Sequence, residues 1–89
     1  GRVAEQMAHI MKEMGDNKHQ VICITHLPQI AAIGSTHYKV TKTETSQGTN
    51  SLMTLLSPEE RVKEIAQMLS GSDISIAAIE NARTLLKLN

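Results

Sequence analysis

Within VICITHLPQIAA, residues 21–32, an apolar run suited to a buried strand ends on a titratable imidazole, His26, with Pro28 two positions later. In open α/β sheets, ligands bind in the crevice beyond the carboxyl ends of the strands, so His26 stands where such a crevice would lie. A neutral imidazole there can accept a proton, donate to a phosphate oxygen or hold a water molecule in line. The same side chain could instead tie down its own turn through hydrogen bonds to the backbone. Position alone leaves both readings open. Thr25 and His26 project to opposite faces of an extended segment, so only one of them can look into a given crevice.

Cys23, His26 and His37 fall within fifteen residues, which raises metal binding as a second chemistry. On an extended segment Cys23 and His26 face opposite ways, and no CxxC or HxxxH pair completes a tetrahedral set. The sequence predicts no metal site. Cys23 inside the apolar run reads as a small core residue, since buried structural thiols are inert. His9, His19 and His37 read as surface or turn residues. Neither GxxxxGK[ST] nor GxGxxG occurs, so no phosphate-cradling loop is present in the chain. Met7, Met11 and Met14 could form a partner groove, but methionines at helical spacing are more often core. Lys39 and Lys42 could reach DNA phosphates, although lysines guarding a solvated edge strand account for them as well.

The elements that must position His26 follow from periodicity. Val3, Met7, Ile10, Met11 and Met14 trace one apolar face of a helix, which Gly15 would close ahead of a turn at Asp16-Asn17-Lys18. Residues 20–25 form a short β-branched run, apolar on both faces, as a strand inside a parallel sheet would be. Pro28 holds Leu27 extended and suits the first position of a short helix over 29–33 that Gly34 ends. Residues 37–43 and 50–56 then read as an antiparallel hairpin, with a turn at 46–48 somewhat longer than the tightest type. Ser57-Pro58-Glu59-Glu60 is a capping box with proline at N1, opening a helix with Val62, Ile65, Ala66 and Leu69 inward until Ser70-Gly71. Ser72 or Asp73 would cap a last helix to about Leu88, with Ile79, Ala82, Leu85 and Leu86 inward. The expected fold is α/β: helix, strand, short helix, β-hairpin and two helices.

Composition bounds what this fold can do. The 89 residues suffice for one small domain, and nine basic residues balance nine acidic ones, leaving no basic footprint for nucleic acid. The lone cysteine excludes an internal disulfide framework and fits a reducing cytoplasm. No apolar run approaches the roughly 20 residues that span a bilayer. The chain has one aromatic residue, Tyr38, so its core is built from Ile, Leu, Val, Met and Ala. Its first residues already read as helix, as expected of a piece cut from something longer: residues 1–89 as a single partial domain.

Over essentially its whole length the chain resembles the RecN family, bacterial ATPases of DNA double-strand-break repair related to SMC proteins and ABC-type ATPases. Gly1-Arg2-Val3-Ala4, Thr25-His26-Leu27-Pro28-Gln29, Leu56-Ser57-Pro58-Glu59-Glu60-Arg61-Val62 and Met68-Leu69-Ser70-Gly71 carry the resemblance. It implies the C-terminal part of a P-loop NTPase head of the ABC/SMC type. His26 would be the switch histidine that reaches toward the ATP γ-phosphate and the attacking water. Gly1 would be the tail of the D-loop, at the nucleotide sandwiched between two heads. ATP and Mg²⁺ would be bound by the full-length protein and by none of this fragment alone, since the phosphate-binding loop, signature motif and metal carboxylates have no counterpart here. The implied partners are DNA and a second head in a homodimer, with no membrane, in the nucleoid-associated cytoplasm. The alternative from the residues alone is a small α/β interaction module in which His26 is structural.

Overall fold

Ser57 shows how closely local sequence dictates structure in this chain. Its hydroxyl accepts from the Glu60 backbone N–H at 3.2 Å, and the Glu60 carboxylate accepts from the Ser57 N–H at 2.9 Å. Two of the donors that a helix start leaves orphaned are thereby satisfied. The helix that follows, Pro58–Ser70, ends at Gly71, whose φ of +83° is a conformation glycine adopts without strain.

The computed structural model describes residues 2–17 and 19–87. In chain order the elements are α1 (Arg2–Asp16), α2 (Pro28–Ile33), β1 (Tyr38–Thr45), β2 (Gly48–Leu55), α3 (Pro58–Ser70) and α4 (Ile76–Leu85). β1 and β2 pair antiparallel, with Tyr38 opposite Leu55 and Thr45 opposite Gly48. The architecture is thus a small α/β arrangement of four helices and one two-stranded antiparallel sheet.

Several boundaries differ from the sequence expectation, each for a local reason. The hairpin closes over only Ser46-Gln47, tighter than expected, because Gly48 takes a φ of +126° and lets the strands run two residues further. The α1 helix continues through Gly15 to Asp16 rather than stopping before the glycine. Ser75, not Ser72 or Asp73, caps α4: its hydroxyl accepts from the Ala78 N–H at 3.0 Å. The Ser72 carbonyl is instead held by the Gln67 side chain at 2.6 Å, inside the turn after α3. Leu88, the expected end of α4, lies outside the described residues.

The larger correction concerns residues 20–25. They form no strand and pair with nothing among the described residues, and Ile22 and Ile24 are 82% and 99% exposed. Cys23 is exposed with them, not a core residue. A strand exists only through a hydrogen-bonding neighbour, and the one sheet here is complete in its own hairpin. The α/β unit predicted from helix, turn and buried strand is therefore not closed among the described residues.

Helix packing makes two apolar clusters with α2 at the joint. Ala32 joins Val62, Ile65, Ala66, Ala78 and Ala82 between α2, α3 and α4. Ile30 joins Ala4 and Ala8 against α1. Alanines let the helices approach closely but bury little area each, so the core is thin. The expected α1 face is turned elsewhere: Val3, Met7, Ile10 and Met14 are exposed, and of that stripe only Met11 packs inward. A folded 9.7 kDa monomer exposes about 5,100 Å² by the usual scaling, whereas this chain exposes 7081 Å².

Candidate functional site

The turn that carries His26 is closed by its neighbour. The Leu27 N–H donates to Thr25 Oγ1 at 3.0 Å, a local side-chain turn that needs nothing from the imidazole. Leu27 is extended at φ −99° and ψ 122°, as a residue before proline must be, and Pro28 starts α2. The Leu27 carbonyl then accepts from the Ile30 and Ala31 N–H groups at 3.2 and 3.0 Å. His26 sits on the bend, exposed, with no hydrogen-bond partner for its ring among the described residues. Of the two roles open at the sequence level, the turn-holding one belongs to Thr25. Gly1, the other expected nucleotide-site residue, lies outside the described residues.

At the far end of α2 stands a residue that sequence reasoning passed over. The Arg61 guanidinium, from the first turn of α3, donates to the carbonyls of Ala31 at 2.9 Å and Ala32 at 3.2 Å, and to that of Gly34. These are the carbonyls a helix end leaves unpaired, and a cation there also meets the negative end of the helix dipole. Burial lowers the Arg61 pKa from its ordinary value, and its Nε is buried without a partner among the described residues while Nη2 meets the carbonyls. A signal for this was present. A cation in a helix's first turn opposes its own dipole, so Arg61 is placed for a partner outside α3.

His37, read from sequence as a surface or turn residue, is half-buried beside Arg61, and its Nδ1 has no partner among the described residues. Partial burial, and then the Arg61 charge, lower its pKa from the usual imidazole value, while Glu64 acts the other way. An open cleft of about 430 Å³ lies here, with Ser35, His37, Leu55, Pro58, Arg61 and Leu86 among its walls. The structure does not bring Cys23, His26 and His37 together as a ligand set. Among the described residues no three His, Cys, Asp or Glu side chains converge as a metal ion would require, and no helix is long and apolar enough to cross a membrane.

Fold and site together define a small α/β unit that presents an unengaged histidine on a braced turn beside an open apolar surface. No family model matches the chain. It is 44% identical over 87 residues to the DNA repair protein RecN of Xylella fastidiosa strain 9a5c, covering 98% of this chain and 15% of that protein. It is 45% identical over 86 residues to the DNA repair protein RecN of Deinococcus radiodurans, covering 97% and 15%. For the Haemophilus influenzae DNA repair protein RecN the identity is 36% over 88 residues, covering 99% and 16%. Over nearly its whole length the chain is similar to a segment of these RecN proteins, and it spans about 15% of the length of the relatives it matches.

Proposed function

We propose that this segment is the C-terminal part of the nucleotide-binding head of a RecN-type, ABC/SMC-like ATPase acting in recombinational repair of DNA double-strand breaks. In this reading His26 faces the ATP γ-phosphate. The carrying observation is that an exposed, unengaged His26 stands on a turn already closed by Thr25, in a chain matched over 98% of its length by a DNA repair protein RecN. The open surface supports the same reading. Residues 20–25 have the composition of a covered strand and no cover, and the chain exposes more area than a compact monomer by over twice what one partner contributes to a standard interface, about 800 Å².

The chemistry follows from the ring. One imidazole nitrogen donates and the other accepts, so His26 can donate to a γ-phosphate oxygen or accept from the attacking water. The water oxygen attacks the γ-phosphorus, the bond to the bridging oxygen breaks, and ADP leaves while the water proton passes to phosphate. Catalysis of this kind is mostly positioning and electrostatics. Mg²⁺, when bound by the complete protein, would neutralise phosphate charge, and its ligands and the phosphate cradle would come from other parts of the head. DNA and a second head are the partners of the complete protein, in the cytoplasm. The segment alone is inactive.

The test is photolabelling of a full-length RecN-type protein bearing this segment with an ATP analogue that carries an aryl azide on its γ-phosphate. Within this segment, label should fall on the peptide of residues 21–32 and compete with ATP. Label elsewhere in the segment, or none in it, overturns the reading.

A further inference from the structure

We propose that Arg61 is the positioning residue for the His26 turn, acting through α2; this rests on the reading of His26 given above. A helix of six residues, Pro28–Ile33, is far too short to persist unaided, and its last carbonyls have no partners within it. It is about 9 Å long, so whatever orients one end orients the other.

Two kinds of restraint reach it. Ile30 packs toward α1 and Ala32 toward α3 and α4, which fixes the helix in a layer but leaves it free to slide, since apolar contact has no direction. Arg61 supplies direction. Its guanidinium bonds Ala31, Ala32 and Gly34 carbonyls from 27 to 30 positions away in sequence. At the opposite end, Pro28 and the Thr25–Leu27 hydrogen bond join α2 stiffly to the bend where His26 sits. The chain of contacts is continuous: α3, Arg61, the α2 carbonyls, Pro28, His26.

Arg61 stands in this place at a cost, because it is half-buried and lies at the positive end of its own helix. Lysine does not replace it: all three carbonyls are met by the one nitrogen Nη2 at the far end of the guanidinium, and the ammonium of a lysine stands one bond shorter of them. Misplacement of a catalytic group by about 1 Å can cost about 10²-fold in rate, so the loss on Arg61→Lys lies in turnover and not in ATP affinity.

The experiment is a double-mutant cycle in a full-length RecN-type protein bearing this segment: Arg61→Lys, His26→Ala and both together. ATP turnover and ATP affinity are read alongside amide exchange at residues 30–33. Arg61→Lys should speed exchange in α2 relative to α3 and lower turnover about 10-fold or more, with ATP affinity within about twofold. In the His26→Ala background the same substitution should change turnover less than about twofold, because nothing remains to be positioned. Equal losses in both backgrounds overturn the proposal and leave Arg61 as a stability residue. Unchanged α2 exchange overturns it whatever the turnover. Full turnover in His26→Ala alone removes the reading of His26 and the positioning role with it, even where α2 exchange accelerates.

Discussion

Lys39 Nζ lies 2.8 Å from Glu64 Oε2, and this ion pair ties the β1–β2 hairpin to α3. The tie matters because the hairpin backbone approaches no helix closely; among the described elements its only backbone neighbours within 8 Å are its own strands. The lysine is 43% and the glutamate 21% exposed, so solvent screens the pair. A pair of this kind contributes about 0–1 kcal/mol. Lys39→Met should therefore shift thermal stability little while raising hairpin mobility relative to α3, read as lower NMR order parameters across residues 38–55. A hairpin as rigid in that variant as in the parent would show that something other than Glu64 holds it.

His37 should make stability depend on pH near neutrality. Partial burial first, and then Arg61, hold its pKa below the ordinary value of about 6.5, with Glu64 opposing. Between the folded and unfolded values the unfolded chain binds the proton and the folded one does not. Stability is thus complete above about 6.5 and is lost as pH falls through the folded value. His37→Gln should flatten the fall in melting temperature between about pH 7 and 5. In the parent background, Glu64→Gln removes the charge that raises the His37 pKa, so the imidazole should titrate lower still by NMR. An upward move contradicts the electrostatics described.

Residues 20–25 should behave oppositely alone and in the complete protein. In the 89-residue chain Ile24 is 99% exposed, so Ile24→Lys should leave its stability nearly unchanged and reduce self-association at high concentration. In a full-length RecN-type protein the same segment is covered, as proposed, and an unpaired charge there should cost more than about 2 kcal/mol. Equal tolerance in both contexts, measured by denaturant unfolding, would count against a buried strand.

The parts of this fold legible in sequence were those governed by neighbours along the chain. The Ser57–Glu60 box, Pro28 at N1 of α2 and Gly71 after α3 each act within a few residues, and each does what its chemistry predicts. Ser75 shows the limit: several residues between Gly71 and Ile76 can cap, and the Gln67 bond to Ser72 decides which does. What failed depended on partners far away in sequence. Composition marks residues 20–25 as a strand, and that expectation fails because no neighbouring strand stands beside them among the described residues. The α1 stripe failed for a related reason, because Ile30 packs against the alanine face of Ala4 and Ala8 and leaves the larger residues open. At the site, His26 was legible as the imidazole that ends an apolar run ahead of Pro28, although it stands on a bend and not at a strand tip. Arg61 was legible only in part: a cation in the first turn of α3 points to a partner elsewhere, but the carbonyls that accept from it carry no mark in the sequence.

The most direct test of the account is His26→Ala in a full-length RecN-type protein, with ATP affinity, thermal stability and turnover measured side by side. Since Thr25 closes the turn without the imidazole, the melting temperature should hold. ATP affinity should also hold, because the phosphate cradle lies outside this segment. Turnover should fall about 10² to 10⁴-fold, the usual worth of one positioned proton-transfer or electrostatic group. Parental turnover in His26→Ala contradicts the account, and so does a parallel loss of stability, binding and turnover, which would mark His26 as a structural residue.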